Sequence, residues 1–434
     1  MTCQLARISG IFAALISASF AWSEQSIALE EFAQKAMQND PLLQASAYQQ
    51  LAQTEQANSR LSLPDPTFRI SVANLPVDSF EFDQEPMTQL TIGIKQALPR
   101  PATRELKNKL GKLLASEQQQ KTQLRRAEVL RQSRLDWLSM FGLQRKIALL
   151  DEQKIILNTL YASKVSTYEH SAIARKSTLL RLQTEILMLD EQLLQTRGEQ
   201  LALADQLQRW GPNLGGELLK KLPASGLLNL TSLAVELIEH TPSQVEVILS
   251  QHPNLRMSDQ RLNAADLSTE LAKDAYKPQF ALEASYGYRD DSPLGTQRSD
   301  FASFALTFDL PIRQSKRQDH TLRVAESMRQ AANFERRYLD RKLQSKTLAL
   351  QSDALQLKQR AALIQNDLLP LSATQILSLE VESLQDATAL TDLLEAQARR
   401  NLYQLKLNDT EIALWKTTIE LQFYLQPGVT GDSP

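Results

Sequence analysis

Duplication, marked by proline, constrains this chain more than any other feature. Pro41 and Pro253 lie 212 residues apart, Pro64 and Pro278 lie 214 apart, and Pro99 and Pro311 lie 212 apart. Proline is excluded from helix interiors and central strands, so it marks where elements begin and end. Asp40-Pro41-Leu42-Leu43 opens one unit and His252-Pro253-Asn254-Leu255 opens the other. Leu63-Pro64-Asp65-Pro66 and Tyr276-Lys277-Pro278 each end a helical pattern and begin an alternating run. Leu98-Pro99 and Leu310-Pro311 close those runs, and bases follow each: Arg100 and Arg104, then Arg313, Lys316 and Arg317. The period is far longer than that of a solenoid repeat. The chain is a duplicated half-molecule.

Each half carries two runs of period-two alternation, the signature of strands with two unlike faces. Phe68, Ile70 and Val72 alternate with Arg69, Ser71 and Ala73, and Leu90, Ile92 and Ile94 with Thr91, Gly93 and Lys95. In the second half Phe280, Leu282, Ala284, Tyr286 and Tyr288 form one such set, and Phe304, Leu306, Phe308 and Leu310 another. Transmembrane barrel strands have this pattern, but a membrane barrel needs at least about eight strands. An open edge in lipid leaves backbone groups unpaired, so a membrane reading forces oligomerisation, and three copies would give twelve strands. The same alternation would serve a soluble four-stranded sheet packed against helices.

Between these runs lie helical stretches too long for a globule. No proline occurs from Ala102 to Gly211 or from Ile312 to Leu369, and neither proline nor glycine occurs from Leu371 to Gln426. A helix of about 60 residues would be about 90 Å long. Leu343, Leu350, Leu357 and Ile364 fall seven apart, with Ala354, Ala361 and Leu368 four after the last three. That is a coiled-coil seam with small residues at its second position. Each half is expected to hold two such helices joined by a turn, near Tyr168–Ala172 and near Glu382–Asp386.

The 434-residue chain is 42% hydrophobic, 23% charged and only 6% aromatic, which suits long helices better than a sandwich. A net charge of -2, with acids and bases interspersed, gives no case for nucleic acid. Arg7 followed by the short apolar stretch Ile8–Phe20 reads as a secretory signal peptide, cleaved near Ala21 or Ser23; the alternative is an uncleaved anchor. The single cysteine, Cys3, precedes that apolar core, so the mature chain would hold no disulfide and no thiolate chemistry. His170, His240, His252 and His320 make no ligand pair at helical spacing, and no cofactor motif or metal site is read. No hydrolase elbow, phosphate loop or dinucleotide fingerprint is present, so no enzyme is expected.

These features together resemble the TolC family of outer-membrane efflux proteins. Leu29-Glu30-Glu31-Phe32-Ala33-Gln34-Lys35-Ala36 with Asn39-Asp40-Pro41-Leu42 is similar to the family's N-terminal helix and Asn-Pro-x-Leu step. Ala272-Lys273-Asp274-Ala275-Tyr276-Lys277-Pro278 resembles its lead into the second strand pair, and Thr391-Asp392-Leu393-Leu394-Glu395-Ala396-Gln397 its strongest C-terminal motif. The resemblance implies a mainly α fold with a small β part and an internal duplication. Long antiparallel helices would form a periplasmic α-barrel. Four strands per subunit would contribute to a trimeric, twelve-stranded transmembrane β-barrel. It implies as partners a homotrimer, a periplasmic adaptor (membrane fusion) protein, an inner-membrane RND-type pump and outer-membrane lipid. Leu75-Pro76-Val77-Asp78-Ser79-Phe80 and Gln96-Ala97-Leu98-Pro99-Arg100 resemble the heavy-metal efflux branch, which implies metal cations as cargo.

The chain accordingly divides into a signal peptide (1–23), a first repeat (24–210, strands near 66–74 and 88–97) and a linker (211–251) matching the family's equatorial segment. A second repeat (252–426, strands near 279–288 and 301–310) and a tail (427–434) follow. A duct does no covalent chemistry; its physics is aperture, lining charge and docking surface. Asp392 and Glu395, three apart, share a helix face, and the resemblance points it into the narrow end of the tunnel as two acidic rings. Asp386 is a further gate candidate, and Arg175 and Lys176 are expected as tip contacts. All five would otherwise be ordinary solvated charges, worth little singly. The corresponding stretch of the first half, Thr178-Leu179-Leu180-Arg181, carries a base and no acid. The competing reading is a periplasmic coiled-coil adaptor or structural protein with no membrane barrel.

Overall fold

The computed structural model describes residues 27–426 except 101, 171–175, 225–226 and 384–388. The expected signal peptide and the tail lie outside the described residues, as do 171–175 and 384–388 of the two expected turns, which α3 and α10 enter at His170 and Ser383. The first half comprises α1 (Leu29–Asn39), α2 (Pro41–Ser59), β1 (Thr67–Ala73), β2 (Gln89–Leu98), α3 (Thr103–His170) and α4 (Lys176–Gln206). Two short helices follow, α5 (Leu214–Glu217) and α6 (Leu227–Ile238). The second half repeats the order with α7 (Pro242–Ser250), α8 (Pro253–Asp274), β3 (Phe280–Tyr288), β4 (Phe301–Phe308), α9 (Gln318–Leu363), α10 (Leu369–Ser383) and α11 (Ala389–Leu425).

The repeat is visible down to its caps. Pro41 and Pro253 each take the first turn of a helix, where no amide hydrogen is needed. The residue before each proline caps that helix with its side chain: Asp40 Oδ1 accepts from the Leu42 amide at 2.8 Å, and His252 Nδ1 accepts from the Asn254 amide at 3.2 Å. The α7 start repeats the device with a capping box between Thr241 and Gln244 behind Pro242.

At 68 residues, α3 is about 100 Å long. Its first part packs beside α2 and α8, and its later part beside α4 and α11. The α9–α10 rod does the same with α8 and then α11. The helices thus form a slab with α2 and α4 at one edge and α9–α10 at the other. The expected seam is present: Leu343, Leu350, Ala354, Ala361 and Ile364 are buried. Pro370 lies within the rod, short of the turn expected near Glu382–Asp386. A π turn at Ile364–Leu368 carries the rod through Pro370, since a widened turn absorbs the hydrogen bond that proline cannot make.

The belt between the repeats lies across one face of the slab. Trp210, Leu214, Leu222 and Leu227 join α1 in a core with Trp137 and Phe141 of α3 and Trp415 of α11. Trp137 stacks on Phe141 at 5.4 Å, and its indole donates to the Ile27 carbonyl at 3.0 Å. Buried Asp136 accepts from Trp210 Nε1 at 2.8 Å and Arg209 Nη2 at 2.5 Å, which pins the belt to α3. Further along, Leu237 of α6 and Leu249 of α7 pack with Leu350 of α9 and Leu421 of α11.

Candidate functional site

The four strands form one antiparallel sheet in the order β1-β2-β3-β4, so β1 and β4 are edges with no partner within the chain. Register aligns like with like. Ile70 faces Ile92, Ile92 faces Tyr286, and Leu282 faces Leu306, so one face is apolar across all four strands. That face is bare: Phe304 is 85% exposed, and Phe68, Ile70, Leu282 and Leu306 are exposed too. Every residue of β4 is exposed on both faces. A soluble sheet packed against helices would bury this surface; here none of the described helices covers it. The opposite face carries small residues with Arg69, Lys95 and Glu283, where Lys95 stands opposite Glu283 and Arg69 reaches it at 4.0 Å.

Arginines fasten both ends of the sheet. Arg289 Nη1 donates to the Pro86 carbonyl and Arg298 Nη1 to the Asp83 carbonyl, both at 3.0 Å, which ties the two hairpin loops together. At the helical end Arg100 Nε donates to the Lys277 carbonyl at 2.6 Å, and Arg100 Nη2 meets Asp309 at 3.0 Å. The base after Leu98-Pro99 therefore locks the first repeat to the second where sheet becomes slab. Its position after a strand-ending proline was visible in sequence; its partner was not.

The slab has two unlike faces at the α3–α11 pair. On one, Phe141, Arg145, Glu411 and Trp415 lie beneath the belt, with Arg145 and Glu411 paired at 2.8 Å. On the other, Ser139, Gly142, Lys146, Asp409 and Lys416 line an open cleft with no belt residue in it. Glu395, Leu402, Asp409 and Lys416 lie seven apart on α11, so this bare face continues as one coiled-coil row to the tip end. There a second cleft, between α3, α4 and α11, is lined by Gln153, Arg181, Glu395 and Arg399.

Asp392 and Glu395 are both exposed, while Leu393, Leu394 and Ala396 between and after them are buried. Glu395 meets Arg181 of α4 at 3.9 Å, and Arg181 also reaches Glu185 at 3.6 Å. The base of the first half thus faces the acid of the second. Chain separation hid this pair from the sequence. Lys176 opens α4 and is exposed; Asp386 and Arg175 lie outside the described residues. No group of three or more potential metal ligands occurs among the described residues. None of the described helices is long and apolar enough to cross a membrane.

No protein-family model matches the chain, and no curated protein matches it in sequence. Solved structures do match it in fold. The CmeC outer membrane channel of Campylobacter jejuni is 13% identical, with a TM-score of 0.71 over 100% of this chain and 96% of that one. A membrane protein from Pseudomonas aeruginosa is 13% identical, with a TM-score of 0.70 over 92% of each chain. CusC, described in terms of transmembrane channel formation, is 15% identical, with a TM-score of 0.67 over 92% of this chain and 91% of that one. The duplicated slab with its four-stranded sheet is the fold of outer-membrane channels of the TolC type. The likenesses are of one order and do not distinguish the heavy-metal branch.

Proposed function

We propose that this chain, which has the fold of TolC-type outer-membrane channels, is one subunit of a trimeric duct that passively carries solutes from the periplasm to the exterior. The bare apolar sheet with two unpaired edges carries this reading. Four strands cannot close in lipid, whereas three copies give twelve and leave no edge. Their apolar face then meets the bilayer and the face with Arg69, Lys95 and Glu283 meets water. β2 and β3, at ten and nine residues, are of the length that spans an outer membrane when tilted. A coiled-coil adaptor without a barrel offers no role for this surface.

The helices close in the same operation. α4 buries Leu182, Leu189 and Leu193 against its own chain and exposes Leu180, Leu187, Leu194 and Leu201, a row of leucines seven apart at the slab's edge. α9–α10 exposes Leu348, Leu355 and Leu371 at the other edge. Joined edge to edge, three slabs make a tunnel. The belt is too bulky to fill the lumen, so it girdles the outside and the bare α3–α11 face lines the passage. Asp392 and Glu395 then stand near the narrow end as two acidic rings, the arrangement that favours cations. The Arg181–Glu395 contact links α4 to the gate helix in the closed state, with Asp386, Arg175 and Lys176 as further tip contacts. An adaptor and an RND-type pump would meet the tip, and metal cations are the cargo that the acidic rings suit. The signal peptide would direct the subunit across the inner membrane and then be cleaved off.

Fractionation tests the assembly: the chain is expected in the outer membrane and as a trimer after detergent extraction, and a freely soluble monomer would overturn it. For the rings, Asp392→Ala with Glu395→Ala is expected to raise single-channel conductance or relieve divalent-cation block. Unchanged conductance and block would return both residues to a solvated face.

A further inference from the structure

The cleft on the bare α3–α11 face holds two amines in search of an anion. Its volume is about 370 Å³. Lys146 of α3 and Lys416 of α11 line it from opposite walls, and among the described residues neither has a carboxylate within ion-pair distance. Most other partly buried bases of the slab are paired: Arg125 with Asp40, Arg131 with Glu420, Arg145 with Glu411. Lys416 is the less solvated of the two. Burial beside Ile412 and Ala413 holds its amine below the ordinary lysine value, and the charge of Asp136 offsets part of that. A partly desolvated ammonium with no carboxylate at ion-pair distance gains from an anion that enters its cleft.

The cleft also carries one carboxylate, at its exposed rim. Asp409 is exposed and accepts from the Asn408 amide at 3.4 Å. The cleft's floor is fixed. Asn408 also donates to the Gly142 carbonyl at 3.4 Å, and a Cβ at Gly142 would meet Ile412 at 3.0 Å, so the helices are in close contact there. The opening is therefore set between closely packed helices and bounded by two lysines and one acid.

We propose that this cleft is an oxyanion site, in which the Lys146 and Lys416 ammonium groups bind a small phosphate- or carboxylate-type anion. The site is contained within one chain. Its place on a lumen wall rests on the duct reading, under which three copies form a basic zone part-way along the tunnel, above the acidic tip. A solute would then pass a cation-favouring constriction and an anion-binding wall in sequence.

Titration calorimetry of the purified full chain in detergent, with inorganic phosphate as the probe, tests the site without requiring conduction. Wild type is expected to bind phosphate saturably. Lys146→Met with Lys416→Met is expected to bind it about tenfold more weakly or not at all, since each amine supplies a charge-assisted hydrogen bond. Lys146→Arg with Lys416→Arg is expected to retain binding, which shows that charge and not fold was lost. Absence of binding by wild type, or equal binding by the methionine variant, overturns the proposal. In planar bilayers the same methionine variant is expected to shift the reversal potential toward cation selectivity. If phosphate binds and no preparation conducts, the duct reading fails and the site stands. If channels conduct and phosphate does not bind, the site fails and the duct stands.

Discussion

Two residues at equivalent places in the duplication show how one backbone need is met by different chemistry. Asp40 caps α2 and pairs with Arg125 at 2.7 Å. His252 caps α8 through Nδ1, so its proton sits on Nε2, which has no hydrogen-bond partner, and its ring packs on Phe423 and Tyr424. Burial pushes the imidazole down to about 4 from its ordinary value of 6.5. The sign follows from linkage. Above pH 6.5 the ring is neutral both folded and unfolded, and stability is unaffected. Between 6.5 and 4 the unfolded chain takes up a proton that the folded chain refuses, so stability falls as pH falls, by about 1.4 kcal/mol per unit. His252→Asn keeps an N-cap without a titrating ring. Its melting temperature is expected to decline less than that of wild type between pH 7 and 5, and parallel curves would refute the assignment. Asp136 sets the same lesson on the other face. Asp136→Ala leaves buried Trp210 without its acceptor and half-exposed Arg209 without its partner, and is expected to cost about 1–3 kcal/mol in chemical unfolding. That Pro41 and Pro253 sit after capping residues was legible in the sequence. That one cap is a charge pair and the other a dry imidazole was not, because both partners come from helices distant in the chain.

The π turn explains the largest departure of an element from its sequence pattern. Continuing the seam of Leu343, Leu350 and Ile364 in steps of three and four places the next core positions at 368, 371 and 375. The structure buries Ser372 and Ile376 instead, and Leu371 is exposed. The seam resumes one residue late, and one extra residue is what a π turn holds. Proline as punctuation gave the helix starts at Pro41 and Pro253, whereas Pro370 lies inside the rod, where a widened turn removes the clash. Deleting Asn366 while replacing Pro370 with Ala is expected to restore an unbroken seam and melt at or above wild type. Deleting Asn366 alone leaves proline inside a regular turn, at a cost of about 3 kcal/mol. Deleting Asp353 instead throws the buried face out of register below that point and is expected to destabilise more than either. A melt in which all three deletions behave alike would show that the π turn is not an inserted residue. The strands were the more legible elements, because period two with aromatic residues on one face survives any assembly. Their neighbours were not: β2 pairs with β3 across some 180 residues of intervening helix, and no local pattern announces that.

At the scale of the whole molecule, the same exposure that makes the single chain an implausible globule specifies what completes it. Leu189 and Leu193 of α4 pack with Leu150 and Leu157 of α3 inside one chain. Leu187 and Leu194, on the opposite side of the same helix, are 63% and 73% exposed. Spacing alone does not tell the inward row from the outward one; the packing of the slab does. If three slabs close edge to edge, each outward leucine buries against a neighbour and contributes about 1.5–3 kcal/mol. Leu187→Asp with Leu194→Asp removes that gain at every interface and adds buried charge. The trimer is expected to dissociate at concentrations more than about a hundredfold higher than for wild type, given tenfold per 1.4 kcal/mol. Sedimentation in detergent reads this directly, and helical content is expected to persist, because neither side chain touches its own α3 core cluster. Leu189→Asp with Leu193→Asp makes the contrast: it strikes the core within one chain, and lost helicity is expected before any change of assembly. A double outward variant that stays trimeric would place the subunit contact elsewhere than α4 and leave its leucine row unexplained.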